Sequence, residues 1–290
     1  MLEKKLAMLQ DPKCFEENRL KAVSDHRWYE TKDEAYAQEK MKLRYSLNGI
    51  WKFFQAPNPS CVPEEFEKEG FSCRGWGEIT VPAQMELRGY GNPQYTDTGY
   101  PWDGREEVEP HKVPVEENPT GCYVRNFMLP EHFIGKRIQL HFEGVETAFH
   151  CWINGIYVGY SEDSYTPAVF DITNVVRAGE NKLAVEVYRF STGSWLEDQD
   201  FWRMGGIVRE VALTAIPEVH MRDIEIAVDL KNEYTTGNAD VTAYLDAVPK
   251  VLDKGGYTFY WELCDREGNV VKNGEEYPAA WVAEFSVEVE

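Results

Sequence analysis

The dominant pattern in this chain is the alternation of apolar and polar residues with a period of two, which is typical of β-strands. Residues 136–142 alternate in this way, and the strand-like runs 148–153 and 156–160 flank Asn154-Gly155. This dipeptide strongly favours a tight hairpin turn. Further strand-like runs follow at short intervals without long helical patterns between them. Strands without crossover helices predict an all-β antiparallel sandwich.

The same pattern divides the chain into three parts. Residues 1–45 lack sustained alternation and predict an N-terminal arm with at most a short surface helix between Thr31 and Arg44. Residues 46–216 carry the sandwich. Residues 217–290 begin a second set of alternating runs. An immunoglobulin-like sandwich takes about seven strands in about 100 residues. Residues 217–290 contain fewer strand-like runs than that, so we expect an incomplete, truncated sandwich.

Residues 86–120 predict a long ordered loop region. They contain five of the fifteen prolines and many glycines, which interrupt regular elements. Binding residues often lie on such loops above a rigid β scaffold. Four residues of this loop combine aromatic rings with a carboxylate, as the edge of a sugar site does, namely Tyr95, Asp97, Tyr100 and Trp102.

A second acidic and aromatic segment covers residues 194–206. It places three carboxylates and an amide among large rings, namely Glu197, Asp198, Asp200 and Gln199 with Trp195, Phe201 and Trp202. One interpretation is a sugar site, in which rings cover apolar C–H faces while carboxylates accept from hydroxyl groups. The other is a solvated acidic turn whose rings anchor the core. Composition alone favours the second interpretation.

The charge balance limits the classes of partner. Fifty acidic residues stand against thirty basic ones, for a net charge of −20. This disfavours nucleic acid and anionic membrane surfaces, which recruit Lys and Arg, and a neutral ligand fits better.

The first residues lack the apolar segment of a secretory signal and no later run reaches the length of a membrane span, so we expect a cytoplasmic protein. The six cysteines lack metal-binding spacing, so we expect free thiols.

Several motifs carry a resemblance to a known family. In chain order they are residues 46–53 (SLNGIWKF), 81–85 (VPAQM), 95–101 (YTDTGYP), 117–123 (ENPTGCY), 142–145 (FEGV), 152–155 (WING), 158–160 (VGY), 177–181 (RAGEN) and 196–207 (LEDQDFWRMGGI). Together they resemble the N-terminal sugar-binding domain of microbial β-galactosidases of glycoside hydrolase family 2. The Glu-Asp-Gln-Asp run separates these enzymes from the β-glucuronidases and β-mannosidases of the same family.

The resemblance implies a jelly-roll sandwich for residues 46–216 and a supporting role in a retaining glycosidase. In the family, the two catalytic glutamates stand on a (β/α)₈ barrel that follows two small sandwich domains. No barrel pattern occurs in this chain, so we expect no catalytic residue here and no hydrolysis by the chain alone. Glu197, Asp198 and Asp200 are poor candidates for the catalytic pair, because neighbouring side chains in a strand or loop point apart.

The resemblance also assigns individual site residues. Asp200 corresponds to an aspartate that binds galactosyl hydroxyls and helps to coordinate sodium or potassium. Asp97 corresponds to a sugar-contacting asparagine, and this departure changes its hydrogen bonding because a carboxylate only accepts. Asp11, Cys14 and Glu162 fall near positions that shape a magnesium site in some members. Thr192 replaces an aspartate of that site, so the site is not assigned to this chain. The resemblance implies magnesium, together with sodium or potassium, for the full-length enzyme.

The expected partners are β-galactosides such as lactose, the rest of the parent enzyme including the barrel, and further copies in a homo-oligomer to which the arm contributes. Neither nucleic acid nor a membrane is expected. Two other function classes stay open. The chain could be an autonomous carbohydrate-binding module, which would bind sugar without the barrel, or chiefly an assembly domain. Titration of galactose and lactose into the isolated chain separates these alternatives.

Overall fold

The computed structural model describes residues 2–37, 40–197, 200–247, 256–279 and 281–289. They form two compact units. The first combines residues 1–22 with 44–215, and the second combines residues 23–43 with 216–290. Every strand pair whose register is described is antiparallel, and the expected all-β sandwich class is confirmed.

Strands β1 to β15 belong to the first unit. They span Glu16–Glu17, Arg44–Ser46, Gly49–Ala56, Gly77–Val81, Gln94–Thr96, Thr120–Leu129, Arg137–Phe142, Val145–Glu146, Ala148–Ile153, Ile156–Ser161, Ala168–Asp171, Gly179–Tyr188, Phe201–Arg203, Gly206–Ile207 and Val211–Ile216. The α-helices α1, α2 and α3 span Leu2–Leu9, Lys32–Tyr36 and Ser194–Glu197, and short 3₁₀ turns span Pro59–Cys61, Glu86–Arg88 and Glu131–Phe133.

Two sheets form the sandwich of the first unit. The larger has the strand order β1-β10-β9-β12-β6-β3-β4, and the smaller has the order β11-β7-β15-β2. Aromatic rings connect the sheets: Phe142 on β7 lies 4.6 Å from Phe149 on β9, and Phe149 lies 6.0 Å from Phe170 on β11, measured between ring centroids. All three are buried, so the core lies between the two sheets.

The hairpin predicted at Asn154-Gly155 is confirmed. Strands β9 and β10 pair with Ile153 opposite Ile156. Both turn residues have positive φ, 52° for Asn154 and 77° for Gly155, as the two-residue turn that matches strand twist requires. Local turn chemistry therefore determined this pairing.

The N-terminal residues differ from the expected continuous arm. Residues 2–9 form α1, for which the sequence indicated no helix, and Met8 and Leu9 are buried in a cluster with Tyr160 and Tyr188. The ammonium group of Lys5 lies 2.6 Å from a carboxylate oxygen of the buried Glu186 on β12. A helix of eight residues carries too little periodicity to be recognised, and its stability comes from packing on the sheet.

The second unit contains strands β16 to β20, which span Val219–Lys231, Thr236–Ala247, Phe259–Cys264, Val270–Glu276 and Val282–Val289. They form a three-stranded sheet, β16-β17-β20, and a two-stranded sheet, β18-β19. Trp261 of β18 stacks on Phe285 of β20 at 4.5 Å. Residues 23–43 belong to this unit, where the Trp28 indole donates a hydrogen bond to the Met221 carbonyl.

Candidate functional site

The two site residues predicted from the resemblance flank the same end of a short strand pair. Strands β5 and β13 pair with Tyr95 opposite Trp202 and Thr96 opposite Phe201. Asp97 follows β5 directly and Asp200 precedes β13 directly, so both lie at the same end of this ladder. Both carboxylates are exposed. Residues more than a hundred positions apart in the sequence thus come together at one strand end.

Tyr95 connects the two strands through its hydroxyl group. The phenol donates a hydrogen bond to Asp200 Oδ1 at 2.6 Å, and its ring lies 5.6 Å from the ring of Trp202. The hydrogen bond to Asp200 raises the pKa of the Tyr95 hydroxyl above its ordinary value. The rings of Tyr95 and Trp202 are about half exposed, at 52% and 54%. One oxygen of Asp200 is therefore held while an exposed aromatic surface lies beside it.

A buried charged group lies beneath this strand pair. The Arg189 guanidinium donates to the carbonyl oxygens of Arg203 on β13, at 2.8 Å, and of Asn92, at 3.3 Å. Its Nε lies 3.4 Å from Glu86 Oε1, and Glu86 Oε2 accepts from the Gly205 backbone N–H at 3.0 Å. Burial raises the pKa of Glu86. These contacts link the segments on either side of β5 and β13.

Glu197 has a structural role in this molecule. Its carboxylate accepts from the backbone N–H of Ser164 at 2.9 Å and from the Ser164 hydroxyl at 2.6 Å. The end of α3 is thereby fixed to the loop after β10. Asp198 and Gln199, the other polar members of the acidic run, lie outside the described residues. Of the carboxylates described in this run, Asp200 is the exposed one.

Several rings of the predicted sugar edge anchor the loop. Trp102 is only 2% exposed. It stacks on Tyr100 at 5.1 Å with an interplanar angle of 5° and lies 5.2 Å from Trp195. The Trp195 indole donates to the Lys112 carbonyl at 2.6 Å. Of the four residues named from composition, Tyr95 and Asp97 are exposed, Tyr100 is half-buried, and Trp102 belongs to the core.

The residues near the expected magnesium positions do not fit such a site. Buried Glu162 accepts from the hydroxyls of Tyr160 and Thr192, both at 2.6 Å, and from the Gly193 backbone N–H at 2.8 Å. Burial raises the pKa of Glu162. Protein donors thus occupy this carboxylate, and the threonine supplies a neutral hydroxyl oxygen in place of a charged carboxylate. In the described part of the chain, no group of three or more His, Cys, Asp or Glu side chains is placed to hold a metal.

The residues at the β5/β13 end fit a monovalent cation better. A carboxylate oxygen of Asp200 is engaged by Tyr95, while its second oxygen and the carboxylate of Asp97 are oxygen acceptors of the kind that hard cations prefer. Both carboxylates carry negative charge at the same end of the ladder, and a cation bound there would reduce their mutual repulsion.

Sequence reasoning missed the hydroxyl contact of Tyr95 and the buried Glu86–Arg189 pair. The sequence indicates a role for the aromatic ring of Tyr95, but no feature of the neighbouring residues indicates that its hydroxyl contacts Asp200. The only available signal for the buried pair was the occurrence of charged residues within otherwise apolar segments. Among the described residues, no helix is long and apolar enough to cross a membrane.

A family model described as the sugar binding domain of glycosyl hydrolases family 2 matches residues 44–217. The chain is similar to the β-galactosidase of Halalkalibacterium halodurans, with 45% identity over 96% of the chain and 28% of the relative. It is 46% identical to the β-galactosidase of Streptococcus thermophilus, over 94% of the chain and 26% of the relative. The chain therefore spans roughly a quarter of the length of these curated relatives.

Solved structures share the fold at lower sequence identity. A Bifidobacterium dentium β-glucuronidase complexed with coumarin-3-O-glucuronide has a TM-score of 0.64 at 18% identity, over 87% of this chain and 42% of that one. A β-glycosidase from Bacteroides vulgatus has a TM-score of 0.62 at 18% identity, over 84% of this chain and 29% of that one. These similarities concern the fold alone.

Proposed function

Since the chain belongs to glycosyl hydrolase family 2, we propose that it is the N-terminal sugar-binding region of a β-galactosidase that hydrolyses terminal β-D-galactosides such as lactose. Relatives named β-galactosidase at 45% and 46% identity support this substrate class. The observation that carries the proposal is the exposed pair of carboxylates, Asp97 and Asp200, at the end of the β5/β13 ladder. Their role is to supply polar contacts to an active site that the rest of a longer enzyme completes.

Asp200 is the principal ligand-binding residue in this proposal. Tyr95 holds Oδ1 of its carboxylate, so Oδ2 is available to accept from a galactosyl hydroxyl and to contact sodium or potassium. Asp97, at the same strand end, accepts a hydrogen bond from a second hydroxyl. A carboxylate at this position only accepts, so it selects a hydroxyl that donates toward it.

The catalytic carboxylates lie, in this proposal, on a barrel in the longer enzyme. A retaining glycosidase needs an acid and a nucleophile about 5–5.5 Å apart. Glu197 is engaged by Ser164 and is therefore poorly suited to either role. The chain alone should hydrolyse no β-galactoside. Magnesium stays an expectation for the longer enzyme only.

A cytoplasmic location and a homo-oligomer complete the proposal. All six cysteines are free thiols, which suits a reducing compartment. The oligomer is expected from the resemblance of the N-terminal residues to a segment that takes part in subunit contacts. Size-exclusion chromatography with light scattering on the longer enzyme tests this part, and a monomer would contradict it.

The decisive experiment is Asp200→Asn in the longer enzyme, which keeps the shape of the side chain and removes its charge. We expect kcat/KM for a chromogenic β-galactoside to fall by about tenfold to a hundredfold, with a weaker response to sodium or potassium. The matched control is Asp25→Asn, an exposed aspartate far from residue 200 in the sequence and in the other unit.

A melting curve must accompany the kinetics. Normal kcat/KM and normal cation response in an Asp200→Asn enzyme of lowered Tm would mean that Asp200 only braces its turn. That result would refute the site assignment. An effect of equal size in Asp25→Asn would refute it as well.

A further inference from the structure

A groove of about 670 Å³ lies on the first unit, and neither Asp97 nor Asp200 lines it. Three neighbouring strands contribute to its lining, with Lys52 on β3, Asn126 on β6 and Lys182 on β12. Residues of the loop before β4, including Trp76, and Glu78 on β4 also line it. This volume lies within the range of small-molecule sites, and the proposed function makes no use of it.

Trp76 provides a fixed aromatic surface in the wall of the groove. Its ring lies 5.6 Å from Phe54, 6.0 Å from the buried Phe66 and 5.5 Å from Phe71, measured between centroids. The three rings pack around Trp76, which is itself only half-buried. A supported and partly exposed indole suits the apolar face of a ring-shaped ligand.

Lys182 brings a buried positive charge to the same groove. The residue is 8% exposed, and its ammonium group donates to the carbonyl oxygens of Phe66 and Lys68 at 2.7 and 2.5 Å. Among the described residues, no carboxylate oxygen forms an ion pair with it. Burial lowers the pKa of Lys182. The nearby carboxylates of Glu67 and Glu69 offset this effect of burial only in part, so a bound anion would further stabilise the buried ammonium group.

Two arginines also line the groove and add positive charge to it. Arg74 is exposed, and Arg125 has a buried Nε without a hydrogen-bond partner while its Nη1 donates to the Ile50 carbonyl at 2.6 Å. Neither forms an ion pair with a described carboxylate. Two other basic side chains are paired within the groove, Arg177 with Glu69 at 2.9 Å and Lys52 with Glu78 at 2.7 Å. A third carboxylate, that of Glu180, also lines the groove, so five basic side chains stand against three acidic ones. A local cationic excess in a protein of net charge −20 indicates an anionic ligand.

We propose that this groove is a second ligand site that binds a phosphorylated sugar. The phosphate group contacts Lys182, Arg74 and Arg125, because guanidinium and ammonium donors form strong charge-assisted bonds with phosphate oxygens. The sugar ring covers Trp76. The ligand thereby uses both unusual features of the groove, its excess of positive charge and its supported indole.

The test is calorimetric titration of the 290-residue chain with galactose 6-phosphate, galactose and inorganic phosphate. We expect saturable binding of galactose 6-phosphate, weaker binding of inorganic phosphate at the same site, and little binding of galactose to the groove. Arg74→Gln should weaken galactose 6-phosphate binding by about tenfold through loss of a charge-assisted contact. Arg88→Gln is the matched control, because Arg88 is also exposed on the first unit but does not line the groove.

Lys182→Gln provides a second variant and should weaken binding at least as much. If its melting curve shows that it does not fold, Arg74→Gln still decides the question, because that residue is exposed. Equal binding of galactose and galactose 6-phosphate would overturn the proposal in favour of a neutral sugar site. Equal effects of Arg74→Gln and Arg88→Gln, or no saturable binding in the millimolar range, would also overturn it.

Discussion

The buried Glu86–Arg189 pair offers the sharpest prediction about how the strand pair of the candidate site is held. The two partners are not equivalent. Arg189 donates to two backbone carbonyls in addition to facing Glu86, and the Glu86 side chain, which is fully buried, accepts one backbone N–H. Glu86→Gln removes one charge and keeps an acceptor for Gly205, whereas Arg189→Met leaves a buried carboxylate without its cation.

The expected magnitudes follow from this difference. Removing one partner of a buried pair costs about 3–5 kcal/mol when it leaves an uncompensated charge, so we expect Arg189→Met to lower the free energy of unfolding by that amount. For Glu86→Gln we expect a change within about 1 kcal/mol at pH 7, because the desolvation of the carboxylate already offsets its attraction to Arg189. The double variant should recover part of the Arg189→Met loss.

The pH dependence has a definite sign. Burial raises the pKa of Glu86 above its ordinary value of 4.5. Its protonated form therefore favours the folded state, and this contribution is fully present below pH 4.5 and is lost as pH rises through the raised value. The stability of the wild type relative to Glu86→Gln should fall as pH rises from 4.5 toward 7.

Urea unfolding measures these differences as shifts of the midpoint at constant m-value. Tryptophan fluorescence is a suitable signal, since six of the nine tryptophans lie in the first unit. A loss for Glu86→Gln as large as that for Arg189→Met would show that the pair is a net stabiliser and refute the reasoning. A double variant less stable than Arg189→Met would refute it independently.

Three further predictions concern the candidate site. Tyr95→Phe in the longer enzyme should lower kcat/KM by about threefold to tenfold while the ring contact with Trp202 remains, and an unchanged cation response would contradict a role in holding Asp200. In the chain itself, Asp200→Asn should lower the pKa of Tyr95 toward its ordinary value, because the hydrogen bond to the Asp200 carboxylate is the main cause of the raised pKa. The absorbance of the phenolate measures the Tyr95 pKa, and an unchanged pKa would exclude the contact. Glu197→Gln should cost about 1–2 kcal/mol by weakening its bonds to Ser164, measured as a lower Tm, with no effect on kcat/KM beyond the loss of folded protein.

Much of the fold was determined by features that act over a few residues. Alternation fixed which segments form strands, because one face of each strand must be buried. The Asn154-Gly155 dipeptide fixed the β9–β10 turn, because both positions adopt positive φ. The family resemblance, and with it the candidate role of Asp200, was also readable from ordered motifs.

Tertiary structure alone decided which of these local features meet. The pairing of β5 with β13 joins segments that share no local signal, and it brings Asp97 and Asp200 to the same strand end. Packing placed Trp102 in the core but left Trp202 half exposed, although both are tryptophans in acidic, aromatic surroundings. Hydrogen bonding committed Glu197 to Ser164 and left Asp200 at the surface. The physical reason is that the burial of a side chain and its hydrogen-bond partners depend on contacts between residues that are distant in the sequence. Alternation and turn chemistry depend only on residues that are close in the sequence.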